Sequence, residues 1–209
     1  LHQNWHPPPG QRLKQILQSD SFHTEPRIFL QRSFELDNHG TLQPWRHLIL
    51  LNEDSPRAEL LWQGSSNSPD ADATDGLHSL TTTPIVIDDY VYGVGSYGEL
   101  RGLDARTGER LWMSDQLTMQ EMCATAFFVR NGDRYFVNSD DGQLVIARFT
   151  PQGYVELDRT DLIAPTAQPA RGHCADRLFN WVHPAYANGH IVQRNDHEIL
   201  RASLTASDY

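Results

Sequence analysis

Long apolar stretches are missing from this 209-residue sequence: no uninterrupted run exceeds four residues, 48–51 being one of them. A bilayer-crossing helix needs roughly 20 such residues, so none is expected. Cysteine is scarce as well. Cys123 and Cys174 are the two, enough for one disulfide at most and too few for a cysteine-rich zinc site. Positive charge is also short, with 17 Lys and Arg against 27 Asp and Glu and a net charge of -10. A chain of that sign repels a phosphate backbone, which argues against generic nucleic-acid binding. No Gly-x-Ser-x-Gly elbow, phosphate loop or His-Glu-x-x-His pair occurs, and the Gly-rich run at 93–98, which superficially suggests a phosphate cradle, leads into another strand instead of a helix and reads as a hairpin turn, so the common hydrolase, nucleotide and zinc-protease chemistries lack their signatures. The sequence starts at Leu1 without a charged-then-apolar leader, which reads as a processed form or a piece of a longer polypeptide.

What is present is a globular composition, 39% hydrophobic and 21% charged, with 14 Gly and 12 Pro. It is enough chain for a buried core without disulfide staples. Pro7, Pro8 and Pro9 enforce an extended start. Leu13, Ile16 and Leu17 then stand at helical spacing and predict a short amphipathic helix over 11–18. These residues belong to an N-terminal extension, 1–20. Everything after it reads as short strands: 27–35, 45–51, 85–87, 90–94, 99–103, 124–129, 134–138, 143–149 and 191–194. Between them stand Asp88-Asp89, Asn131-Gly132, Asp141-Gly142, Asn188-Gly189 and a turn at 37–40. Such pairs supply the positive φ that tight hairpins require. Polar surface loops are expected at 63–76 and 164–176. The fold class is all-β.

The strands recur as a unit. Residues 83–112 run strand, turn, strand, turn, strand, an Asp-x-x-Thr-Gly turn at 104–108, and a strand ending in Trp112. Weaker copies begin at Ala126 and His183, with first turns at Gly132 and Gly189. A further copy precedes them, because Asp54 stands eight residues before Trp62 just as Asp104 stands before Trp112. A four-stranded antiparallel sheet roughly every 40–55 residues is the spacing of β-propeller blades, here over about 21–62, 63–112, 113–158 and 159–209. In the unit, Asp104 caps the turn with its carboxylate and Thr107-Gly108 completes it, Gly108 supplying backbone freedom. Trp112 then packs flat between blades with its indole N–H seeking a carbonyl.

The stretch 98–112 resembles the tryptophan-docking repeat of quinoprotein-type β-propellers, Ala-x-Asp-x-x-Thr-Gly-x-x-x-Trp, departing from it at Gly102, where the motif has Ala. Residues 74–204 are similar to the C-terminal blades of PQQ-binding-like β-propeller repeat proteins of planctomycete-type bacteria, through 74–80, 130–134, 147–154 and 183–188. The resemblance implies a partial propeller, about half of a seven- or eight-bladed ring, in an exported or periplasmic location. It also implies that the isolated polypeptide associates through uncovered blade edges. At the level of the repeat the chain is similar, too, to the propeller lipoproteins that scaffold outer-membrane assembly.

Two functions follow. One is a non-catalytic propeller segment that presents loops to a protein or polymer partner, or to further blades, with no cofactor. The other is a PQQ- and Ca²⁺-dependent dehydrogenase whose site is completed elsewhere. The enzyme family implies an aromatic floor, hard-cation ligands and usually a disulfide of adjacent cysteines. Trp181 fits the floor by type, and Asp75, Asp140 and Asp141 fit the cation, but Cys123 and Cys174 are not adjacent. No catalytic residue is assigned. In a propeller the residues leading into each innermost strand line the mouth of the central channel. That makes His78 and Ser79, Glu121 and Cys123, and Asn180, Trp181 and His183 the candidate mouth groups.

Overall fold

The computed structural model describes residues 27–36, 42–51, 58–60, 62, 64, 66, 71–79, 82–168 and 177–205. The helix predicted over 11–18, the turn at 37–40, Asp54, Cys174 and parts of both polar loops lie outside them. The described chain is all-β: one 3-10 turn, Ala71–Ala73, accompanies fourteen strands in four antiparallel sheets. The first sheet holds β1 (Arg27–Leu36), β2 (Leu42–Leu51) and β3 (Ala58–Leu60). The second holds β4 (Ile85–Ile87), β5 (Tyr90–Val94), β6 (Leu100–Asp104) and β7 (Arg110–Ser114). The third holds β8 (Ala126–Asn131), β9 (Arg134–Ser139), β10 (Gln143–Thr150) and β11 (Gly153–Asp161). The fourth holds β12 (Ala185–Ala187), β13 (His190–Arg194) and β14 (Ile199–Ser203). Each sheet is a meander in chain order, the arrangement of a propeller blade.

The hairpins arise where the sequence permits positive φ. Asp88 at φ 53° and Asn188 at φ 50° turn β4 into β5 and β12 into β13, and Gly132 at φ 66° turns β8 into β9. The repeat extends to irregularities. The pairing of β6 with β7 slips between Gly102 and Leu103, and the pairing of β10 with β11 slips at the corresponding place, between Ile146 and Ala147. Such bulges sharpen the strand twist. Pattern reading does not pick out β3 or β11. β11 is the outer strand of its sheet and carries Glu156, Asp158, Arg159 and Asp161 on largely exposed backbone, so little apolar alternation marks it.

Sheets stack face to face because alternate residues of each strand are apolar. Tyr92, Val94 and Leu100 of the second sheet join Tyr135, Val137, Val145 and Ala147 of the third in one buried cluster. Phe149 caps that cluster, its ring 5.6 Å from Tyr92 and 5.5 Å from Tyr135. The opposite face of the third sheet meets the fourth. Phe136 stacks on Tyr186 at 5.3 Å, and the Tyr186 hydroxyl donates to Asn138 Oδ1 at 2.5 Å. On the other side of the second sheet, Leu77, Val91, Leu103 and Ala105 are buried against Trp62.

Candidate functional site

Two elements set the geometry, the hairpins that join neighbouring sheets and the segments that lead into each innermost strand. In the β6–β7 hairpin, Asp104 Oδ1 accepts the backbone N–H of Arg106 at 2.7 Å and of Thr107 at 3.0 Å. Gly108 donates its N–H to the Asp104 carbonyl at 2.9 Å. Its φ is +77°, and a Cβ there would lie 2.5 Å from the Trp62 ring. Trp62 Nε1 donates to the Ala105 carbonyl of that same hairpin at 2.8 Å. One repeat on, Trp112 Nε1 donates to the Thr150 carbonyl, in the hairpin of the third sheet, at 2.9 Å. Trp112 also stacks on Tyr92 with centroids 5.8 Å apart. A Cβ on Gly102 would fall 2.4 Å from the Trp112 ring, which gives a physical reason for the missing Ala at that position.

The segments before β4, β8 and β12 carry the candidate mouth residues. His78 and Ser79 precede β4, with Ser79 2% exposed. Glu121 and Cys123 precede β8; Glu121 accepts the Ala124 N–H through its carbonyl at 3.0 Å, and Cys123 donates its N–H to the Ser96 carbonyl at 2.7 Å. Cys123 is buried, has φ 65° and is disulfide-bonded. The hydroxyls of Thr82 and Thr125 bond to each other across the two segments, and Thr82 Oγ1 accepts the Ala126 N–H at 3.1 Å. His183, ahead of β12, is exposed and sits 4.1 Å from the Phe127 ring. Trp181 stacks on Phe179 at 3.9 Å.

Asn180 and Trp181 converge on a residue that sequence reasoning weighed only as a cation ligand. Asp140, fully buried, is the hub between the third and fourth sheets. Its carbonyl accepts the Asn180 N–H at 2.7 Å, the same link that Ser96 makes to Cys123 one repeat earlier. Its Oδ2 accepts Arg177 at 2.6 Å, the Thr125 N–H at 3.1 Å and Trp181 Nε1 at 3.2 Å. Burial pushes the Asp140 carboxyl above the ordinary carboxylate range, while Arg177, Trp181 and Thr125 pull it back. Asp140 Oδ1 and Asn180 Nδ2 are buried without a protein hydrogen-bond partner among the described residues. Asp140 therefore acts as a latch: it fixes the segment 177–181 against the β9–β10 turn of the preceding sheet. Arg177 and Thr125 escaped sequence reasoning. The one signal for the hub is that Asp140 holds the repeat position of Ser96.

The sequence nominates Trp181 as an aromatic floor and Asp75, Asp140 and Asp141 as cation ligands for a quinone and Ca²⁺ centre. Among the described residues no three His, Cys, Asp or Glu side chains gather as a metal site. Asp140 Oδ2 takes three donors, one of them Arg177, while Oδ1 takes none among the described residues. One face of Trp181 is covered by Phe179.

Successive four-stranded antiparallel meanders that stack face on face define the β-propeller class. No protein-family model matches the sequence. Two curated proteins are similar to it: the outer membrane protein assembly factor BamB of Salmonella typhimurium, 28% identical over 108 residues, and that of Yersinia pestis, 30% identical over 108 residues. Each match takes in 51% of this chain and 26% of the relative, so it spans about a quarter of the relatives' length. Among solved structures, BamB from Moraxella catarrhalis is similar with a TM-score of 0.44 and 15% identity, over 77% of this chain and 38% of that one.

Proposed function

We propose that this chain is a non-catalytic propeller segment of the PQQ-like, planctomycete-type repeat family that presents its loops to a protein partner. The observation that carries this reading is the use of the mouth groups. Of these, Trp181 and Asn180 hold sheets together through Asp140, which also takes the Thr125 N–H, and Cys123 is tied in a disulfide rather than left as a thiol. None of these is a nucleophile or base facing a substrate. Exposed His183 and half-buried Glu121 are left to be read from outside. The similarity to outer membrane protein assembly factors supports a protein as partner. The disulfide and that similarity together support an exported, oxidising location. No helix among the described residues is long and apolar enough to cross a membrane.

The dehydrogenase alternative is tested by reconstituting the full-length protein with PQQ and Ca²⁺ and following dye reduction with simple alcohols and sugars. Rates equal to quinone alone are expected. Turnover that depends on both quinone and Ca²⁺ would overturn the proposal.

A further inference from the structure

We infer that Asn188 is a self-modification site, where the Gly189 backbone nitrogen attacks the Asn188 side-chain amide, assisted by His190, and turns the residue into aspartate and isoaspartate. The inference goes beyond the protein-binding reading and does not depend on it. Turn chemistry accounts for the Asn-Gly pair between β12 and β13, but not for the histidine contact that goes with it.

Asn188 at φ 50° and Gly189 at φ 69° form the two-residue turn, and both are exposed. The Gly189 carbonyl accepts the Leu204 N–H at 2.7 Å, whereas the Gly189 N–H donates to no acceptor among the described residues. Space around this glycine is open: apart from its chain neighbours, a Cβ there would meet Thr205 Cγ2, at 3.2 Å. His190 Nδ1 stands 2.7 Å from the Asn188 carbonyl oxygen. A carbonyl can only accept, so Nδ1 is the nitrogen that carries the hydrogen. That carbonyl belongs to the peptide unit whose nitrogen is Gly189's.

This placement bears directly on the reaction. Loss of the Gly189 amide proton to water or hydroxide leaves an amidate, its charge shared between the Gly189 nitrogen and the Asn188 carbonyl oxygen. The hydrogen bond from His190 then acts on a charged acceptor, where such bonds are strongest, and so raises the population of the nucleophile. A bond forms between Gly189 N and Asn188 Cγ. The bond from Cγ to the side-chain nitrogen breaks, and that nitrogen takes a proton from water and leaves as ammonia. Water opens the resulting cyclic imide at one carbonyl to give aspartate, or at the other to give isoaspartate.

The second Asn-Gly pair lacks this arrangement. Asn131 lies inside β8, held in register with Arg134, and its turn continues to Asp133 with no imidazole. Conversion at 188 has a structural cost, because isoaspartate lengthens the backbone of a turn that sets Ala187 opposite His190 and Tyr186 opposite the fully buried Ile191.

The test incubates the full chain at neutral pH and physiological temperature, digests it under mildly acidic conditions, and separates aspartate from isoaspartate by electron-transfer mass spectrometry. In the folded chain Asn188 should convert at least fivefold faster than Asn131; in urea, where neither turn survives, the two should convert at similar rates. His190→Phe should slow Asn188 about tenfold and leave Asn131 unchanged, a loss of about 1.4 kcal/mol of transition-state stabilisation, close to what one hydrogen bond to a charged group contributes. A folded-state ratio no higher than that in urea, or unchanged Asn188 conversion in His190→Phe, would overturn the inference. The first comparison needs no substitution, so it decides the matter even where the variant fails to fold. Neither result bears on partner contact at the channel mouth, so the two readings fail separately.

Discussion

Gly102→Ala is a substitution toward the residue that the related repeat motif carries, yet it should destabilise this chain. The new Cβ would stand 2.4 Å from Trp112 Cε2, 2.6 Å from Nε1 and 2.7 Å from Cζ2. Real Cβ contacts stay beyond 3.0 Å, so the indole must retreat by roughly half an ångström or more. Overpacking of that kind costs about 1–3 kcal/mol. The retreat also stretches the 2.9 Å bond from Trp112 Nε1 to the Thr150 carbonyl, worth about 1 kcal/mol. Against this stands the loss of unfolded-state freedom, about 0.4–1 kcal/mol in favour of Ala, available because Gly102 is not among the positive-φ glycines. The net expectation is a loss of about 1–3 kcal/mol. Urea unfolding followed by tryptophan fluorescence reads it as a lower midpoint at unchanged slope. A double-mutant cycle with Trp112→Leu should show that most of the cost comes from the ring. A neutral or stabilising Gly102→Ala would refute the packing described between Gly102 and Trp112.

Trp112→Ala should cost about 3–5 kcal/mol, through an emptied aromatic site, and Asp104→Ala on the order of 1 kcal/mol, through its lost turn bonds; the same urea titration measures both, and equal effects near zero would contradict the hairpin geometry. Asp140 has its carboxyl raised in the folded state by burial, so the folded chain holds that proton more tightly than the unfolded one. Its contribution is therefore full below the ordinary carboxylate range and is lost as pH rises through the raised value. Native minus Asp140→Asn stability should accordingly fall as the pH rises from about 4 through the raised value. The difference isolates Asp140 from Asp133 and Glu156, whose carboxyls are lowered by Arg148 and Arg159 and act in the opposite sense. Arg177→Ala should raise the Asp140 carboxyl further, because its bond and charge hold that group down; carboxyl titration by carbon NMR measures the shift.

The strands of the second sheet could be read from sequence because turn chemistry and alternation agree there. Ile85–Ile87 and Tyr90–Val94 have the expected limits, set by Asp88-Asp89 between them. β8 begins at Ala126 rather than at 124, because Thr125 is spent on links to Thr82 and Asp140 instead of a strand partner. β11 stayed hidden because an outer strand with exposed charges has no buried face to impose a period. The hub was legible only in part. Asp140 looks like any turn aspartate in sequence, and what singles it out is three donors from residues 15, 37 and 41 positions away. Such contacts arise from the stacking of sheets, which no local pattern encodes.

The central claim is that the mouth of the propeller segment is a protein-binding surface. Site-specific photo-crosslinking in the native host tests it most directly, with a photoreactive amino acid placed at Glu121 or His183 in the full-length protein and, as a control, at Asp133 in the exposed β8–β9 turn. The account expects a discrete protein adduct from both mouth positions and none from the control, with the adduct lost when Asp140→Ala frees the segment 177–181. Equal labelling from all three positions, or no adduct from either mouth position, would contradict it.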